Sequence, residues 1–335
     1  MKKIFSTIIL LQIFSCTTTV KDNDSILIFD DSILNIIDTT AKIEYLVDSL
    51  NVAEGPLWDE NSFSLLFTQV PKNKIYKWNE KEGYEEYISP SGFTDYAPVI
   101  ANIGLSGANG LTFDSDGNLI IAQHGDRRLS KIDNSPSMNP NFETIVDNYQ
   151  GSRFNSPNDV VVSSNGDLFF TDPTYGFMSL SDWSFDESVK ELDFNGVYKY
   201  STEFGIELVS NELDMPNGLA LSNDERYLYV NSSTAEAPII LKIDLENENN
   251  SELFFDGTEL AKENPGNFDG LKVHSSGNIF TTGPNGILVL SEEGKLLANI
   301  KFKDMLTNCA LDSDENYLYV TGFSFVARIA LKGTN

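Results

Sequence analysis

Histidine and cysteine are nearly missing from this chain, with two of each among 335 residues. His124 and His274 alone cannot form an imidazole cluster, and they are the only histidines available to a Ser-His-Asp triad. No Gly-x-Ser-x-Gly elbow, His-Glu-x-x-His pair or phosphate-cradling glycine loop is present, which removes sequence support for serine-hydrolase, zincin and nucleotide-binding readings. Basic residues are also scarce: 23 Lys and Arg stand against 50 Asp and Glu, a net charge of −27. That excess argues against a nucleic-acid partner, which needs clustered cations, and against docking on anionic lipid. The apolar stretch Ile4 to Phe14 is too short to span a bilayer, and no long amphipathic helical pattern occurs.

The amino terminus reads as a bacterial export signal. Lys2 and Lys3 precede that apolar stretch, and Ile13-Phe14-Ser15-Cys16 resembles a lipobox. The expectation is a signal peptide over 1–15 cleaved before Cys16, a tether over 16–40, and one domain over 41–335. Cys16 would carry the lipid, the only membrane contact, on a periplasmic or outer-membrane-tethered lipoprotein. With ordinary cleavage Cys16 is removed, and the protein is still exported. If Cys16 is lipidated, Cys309 has no disulfide partner; within Cys309-Ala310-Leu311 it reads as a small buried residue.

A polar anchor, an apolar run, a turn and a second apolar run recur six times. The copies begin at Glu54, Asn109, Asn158, Asn217, Asp269 and Asn308, 39 to 59 residues apart. Turns at Asp116-Gly117 and Asn165-Gly166 supply positive-φ residues for tight hairpins, and Val160 to Val162 is apolar on both faces, as strands covered on both sides require. The spacing predicts an all-β, six-bladed β-propeller with four-stranded blades. Ile43 to Val47 is expected to close the ring as the outer strand of the last blade, which ends near Leu331. Residues 173–195, with Tyr175, Phe177, Trp183 and Phe185, form the longest insertion, either a lid or a loop packed on the scaffold.

All six anchors carry oxygen, and as inner-strand starts they should converge on the axis. Two carboxylates among amide oxygens, with no clustered His or Cys, suit one hard divalent cation: Ca²⁺ first, Mg²⁺ or Mn²⁺ next, Zn²⁺ last. The bland reading of each anchor is a side chain that starts a strand by bonding its own backbone, with the following glycine as turn chemistry. Six in phase favour a site.

Several motifs resemble those of the senescence-marker-protein/gluconolactonase/luciferin-regenerating-enzyme family. They are Glu54-Gly55-Pro56, Asn155-Ser156-Pro157-Asn158-Asp159, Phe170-Thr171-Asp172-Pro173, Pro216-Asn217-Gly218 and Phe268-Asp269-Gly270, together with Asn109-Gly110-Leu111, His124-Gly125 and Thr282-Gly283-Pro284. The likeness runs from about residue 45 to 330 and keeps the order of motifs. It implies a metal-dependent, calcium-type lactonase acting on a sugar lactone. Glu54, Asn217 and Asp269 would hold the metal, with Asn158 beside it on the metal or the substrate, and Asp269 would double as acid/base. His124 would orient substrate or stabilise an oxyanion, unless it is a satisfied structural histidine. Asn109 and Arg153 would contact substrate, although Arg153 also fits a surface ion pair. Gln123 and Asp126 depart from the family pattern and bear on substrate identity. His274 is expected to be exposed and inert. The rival readings are a non-catalytic propeller that binds a protein or glycan, and an enzyme of this fold with different chemistry on a modified carbohydrate.

Overall fold

The computed structural model describes residues 25–100, 104–234 and 238–333. Six antiparallel sheets stand in a ring, each with its first strand innermost, and a two-stranded ribbon pairs Asn148–Tyr149 with Ser152–Arg153. The inner strands are Ala53–Asp59, Ala108–Phe113, Val160–Val162, Pro216–Leu221, Leu271–Val273 and Leu306–Leu311, so the six anchored repeats are the six blades. Blades one to six follow chain order. Six apolar clusters fill the wedges between neighbouring blades, as in the pairing of Ile120, Ala122 and Leu129 with Val160, Phe170 and Tyr198. Sheets sandwiched between sheets need apolar side chains on both faces, which is why these strands do not alternate.

Glu44–Asp48 pairs antiparallel with Phe325–Ala330 and closes blade six with the amino-terminal end of the chain. Residues 25–40, expected to belong to a tether, are instead part of the body. Ile26–Ile28 adds a fifth strand to the edge of blade five, against Ala298–Ile300. A 3₁₀ turn at Asp31–Asn35, capped by the Asp30 carboxylate on the Ser32 amide at 2.9 Å, follows it. Ile33, Ile36 and Ile37 are all at most 3% exposed. Three buried isoleucines contribute roughly 1.5–3 kcal/mol each, more than a solvated tether would forgo. Cys16, the signal peptide and residues 16–24 lie outside the described residues.

The hairpin turns hold a second feature. Where Gly117, Gly166 and Gly277 take positive φ in other blades, Glu225 (φ 57°) and Glu315 (φ 54°) do so in blades four and six. Each glutamate then clasps a serine of the preceding blade. Glu225 accepts from the Ser164 amide and hydroxyl, both at 2.7 Å, and Glu315 from the Ser275 amide at 2.7 Å and its hydroxyl. His274 belongs to this clasp. It is fully buried, with Nδ1 2.9 Å from Ser276 Oγ and Nε2 3.1 Å from Glu315 Oε2, so the expectation of an exposed histidine fails.

Candidate active site on the propeller axis

A ring of cross-blade hydrogen bonds sets the anchors in place. The Asn109 carbonyl accepts from Thr68 Oγ1 at 3.2 Å, that of Asn158 from the Gly110 amide at 2.7 Å, and that of Asn217 from Thr171 Oγ1 at 2.7 Å. The Asp269 carbonyl accepts from the Gly218 amide at 3.0 Å, that of Thr307 from the Gly270 amide at 2.8 Å, and that of Ala53 from Thr307 Oγ1 at 2.5 Å. Every blade thus holds the next at the anchor or the residue before it, and the circle closes. The glycine after an anchor is therefore not turn chemistry. A Cβ on Gly218 would stand 2.2 Å from the Asp269 carbonyl oxygen, and one on Gly270 1.8 Å from Asn308 Oδ1. Only glycine lets the inner strands approach this closely.

With their carbonyls bound, four of the expected ligands face one cavity of about 450 Å³: Glu54, Asn158, Asn217 and Asp269. Asn109 joins them. Glu54 is buried, its Oε2 accepting from the Gly55 amide at 3.0 Å and from Asn308 Nδ2 at 3.2 Å. Burial raises its carboxyl to about 7, the nearby Asp159 charge adds to the shift, and the Gly55 amide offsets part of it. Asp269, partly open to the cavity, is also held well above the ordinary carboxylate range by burial first, then by Glu54 and Asp159. Asp159 is thus a third carboxylate at the site that the motif reading passed over, although it directly follows Asn158.

His124 lies behind this ring and does not line the cavity. Its Nδ1 sits 3.1 Å from the Leu105 carbonyl, which can only accept, so Nδ1 carries the proton and Nε2 is an acceptor. Nε2 receives the side-chain amides of Asn109 at 3.2 Å and Asn158 at 3.4 Å. Burial lowers the imidazole to about 4, so it is neutral near pH 7. The expected catalytic role for His124 is replaced by a positioning one: it orients two amides. On the opposite side Asn217 Nδ2 donates to Ser233 Oγ at 3.2 Å, and the Tyr175 hydroxyl donates to the same oxygen at 2.7 Å. The 173–195 insertion is therefore tied through Tyr175 to an anchor.

Arg153 takes its ion-pair reading rather than the substrate-binding one, and Gln123 and Asp126 sit away from the ligand. Arg153 is not in the cavity; its backbone amide and guanidinium face Glu191, 2.9 and 3.9 Å away, at an exposed position. Gln123 and Asp126 are both fully buried and brace Arg128, at 2.7 and 3.1 Å, away from the cavity. They shape the scaffold rather than the ligand. Asn308 completes the ring by donating to Glu54 and does not line the cavity. Cys309 is buried, as expected, and its thiol is pushed up to about 12 by burial, which leaves it no nucleophilic character.

The donor set fits a hard cation. Buried Oδ1 atoms of Asn109, Asn217 and Asp269 have no hydrogen-bond partner among the described residues, an arrangement that costs free energy unless something else accepts their lone pairs. No lysine, arginine or histidine lines the cavity to neutralise Glu54 and Asp269. Among the described residues no three His, Cys, Asp or Glu side chains converge as a cage, so the amide oxygens of Asn158 and Asn217 would complete the coordination.

Residues 52–324 match the family described as SMP-30/gluconolactonase/LRE-like. The chain belongs to that family. It is 33% identical over 310 residues to a gluconolactonase of Zymomonas mobilis, covering 89% of this chain and 83% of the relative. In three dimensions it is similar to a gluconolactonase from Xanthomonas campestris, with a TM-score of 0.77, 23% identity and 92% and 96% of the two chains covered. It is also similar to a calcium-binding regucalcin from Agrobacterium tumefaciens, with a TM-score of 0.62, 16% identity and 88% and 95% covered. The two structural likenesses speak to the propeller. The family match spans all six inner-strand anchors.

Proposed function

We propose that this protein is a cation-assisted lactone hydrolase working at the Glu54–Asp269 pair. The observation that carries the reading is that two carboxyls sit against each other at a cavity floor with unpaired amide oxygens around them and no cationic side chain lining the cavity. A scaffold propeller has no use for that costly arrangement.

Glu54, Asn158, Asn217 and Asp269 would hold the ion, and an all-oxygen set with only two carboxylates suits Ca²⁺ best. When bound, such an ion polarises a carbonyl and acidifies water. Asn109, oriented by His124, presents its free Oδ1 to the ligand. Asp269, partly open to the cavity, takes the proton from water as the water oxygen adds to the lactone carbonyl carbon. It returns that proton to the ring oxygen as the acyl–oxygen bond breaks, yielding the hydroxy acid. Export and lipid attachment at Cys16 belong to the same proposal, which places the activity outside the cytoplasm.

The test is hydrolysis of a lactone panel by the purified protein with and without chelator, alongside Asp269→Ala and Glu54→Ala. Loss of turnover by at least about 10²-fold in both variants is expected, with Ca²⁺ restoring chelated wild type. Hydrolysis that survives chelation and both substitutions overturns the reading.

A further inference from the structure

The cavity is two-sided. Its floor and the wall from blades four and five are polar, with Asn217, Ser233 and Asp269. The remaining wall and the roof are built from Val52, Val70, Leu105, Met178, Trp183 and Phe323. Val52, Val70, Leu105 and Met178 form one apolar cluster, and Phe323 packs against it. Trp183, on the 173–195 insertion, lies over Phe323 with ring centroids 6.2 Å apart and a tilt of 43°. Trp183 is nevertheless 54% exposed. A large exposed aromatic at a cavity mouth is surface a ligand can cover.

Polar capacity in the cavity is nearly used up. Ser233 Oγ and the Tyr175 hydroxyl bond each other, and Thr307 Oγ1 bonds the Ala53 carbonyl and Thr321. If the cation takes Glu54, Asn158, Asn217 and Asp269, the side-chain hydrogen-bonding groups left to substrate are Asn109, the exposed Asn267 and the acceptor lone pairs of the Tyr175 hydroxyl. A bare sugar lactone carries a hydroxyl on most ring carbons, and several would face valine, leucine, methionine and aromatic carbon without partners, which disfavours its binding.

We infer that the substrate is a lactone bearing an apolar substituent, with its carbonyl on the polar floor and the substituent along the Val52–Leu105–Met178–Phe323 wall beneath Trp183. This deepens the lactone-hydrolase reading, on which it rests, and departs from the sugar lactone expected from sequence. Burying each added methylene of such a substituent favours binding about fourfold.

The experiment measures kcat/KM on δ-lactones with no substituent and with propyl, hexyl and nonyl chains, and on glucono-δ-lactone, using the full-length mature protein with Ca²⁺. In parallel, the matching alkyl δ-lactams, which resist hydrolysis, are titrated by isothermal calorimetry. The expected result is a rise of about fourfold per methylene until the cavity fills, glucono-δ-lactone below hexyl-δ-lactone, lactam affinity rising in step, and Phe323→Ser and Trp183→Ser flattening both slopes. A flat or falling series with glucono-δ-lactone preferred overturns the inference and leaves lactone hydrolysis intact. Chain-length-dependent lactam binding without hydrolysis of any lactone supports the apolar subsite and sinks the hydrolase. No lactam binding and no hydrolysis overturn both.

Discussion

His124 Nε2 stands 3.2 Å from the side-chain nitrogen of Asn109, and because Nδ1 is committed to the Leu105 carbonyl, the imidazole can only accept there. One neutral ring thereby fixes which end of two cavity amides faces the ligand. The consequence is a residue whose removal damages catalysis without removing a proton carrier.

His124→Phe should lower kcat/KM by about 10²-fold, the scale of a misplaced substrate contact, and destabilise the protein by about 1–3 kcal/mol through two unpaired buried amides. His124→Gln, which keeps an acceptor oxygen, should recover part of both. With the imidazole at about 4, the wild-type pH–rate profile should show no limb near 6.5 that disappears in His124→Gln. A limb lost in that variant would make His124 a proton carrier after all.

Stability should fall with rising pH through Asp172. This fully buried carboxyl is pushed up to about 7, chiefly by burial, against partial relief from the Asn155 amide at 2.8 Å and the Arg127 charge. Because its proton affinity is raised on folding, its contribution is fully present below the unfolded value near 3.8 and is lost as pH climbs through 7. The full swing is on the order of 4 kcal/mol. Urea midpoints from pH 4 to 8 should decline less steeply in Asp172→Asn than in wild type, Glu54 and Asp269 keeping part of the slope; equal slopes would show that Asp172 is ionised in the fold.

Gly218→Ala should be far worse than Gly205→Ala. Gly205 has positive φ (79°) in an open turn with nothing within 4 Å of a Cβ, so alanine there costs only conformational strain, about 1 kcal/mol. At Gly218 the Cβ meets the Asp269 carbonyl at 2.2 Å, and overpacking adds about 1–3 kcal/mol while pushing Asp269 off the axis. Urea denaturation ranks the two, and Ca²⁺ titration by calorimetry should weaken only in Gly218→Ala. Equal Ca²⁺ affinity in both would detach the ring of glycines from the site.

Labelled palmitate should enter the wild-type protein in its native host and be absent from Cys16→Ala. Labelling that persists in the variant would rule out lipidation at that residue.

The blades were legible because each repeats a local code: a polar anchor, two apolar runs and a turn residue able to take positive φ. The closing strand was legible because an open blade edge needs a partner. Residues 25–28 carried no such demand and read as tether, although Ile26 packs against blade five. Glu54, Asn158, Asn217 and Asp269 stand in phase with the repeat, so the anchors announced themselves. What escaped depends on contacts between blades. His274 is buried by Glu315 from 41 residues downstream, a partner that no local pattern announces. The apolar wall is assembled from separate loops with no shared motif, and no single stretch of sequence marks it.

The six carbonyl bonds around the axis run in one rotational sense, each blade donating to the next until the sixth returns to the first. A hoop of this kind has no free end at which to fray. No blade can tilt without displacing both neighbours, so partial loosening of the site is resisted all the way round. The ligand oxygens should behave as a single mechanical body that holds its shape whether or not it is loaded, and heat should abolish binding and sheet structure at one temperature, in one step.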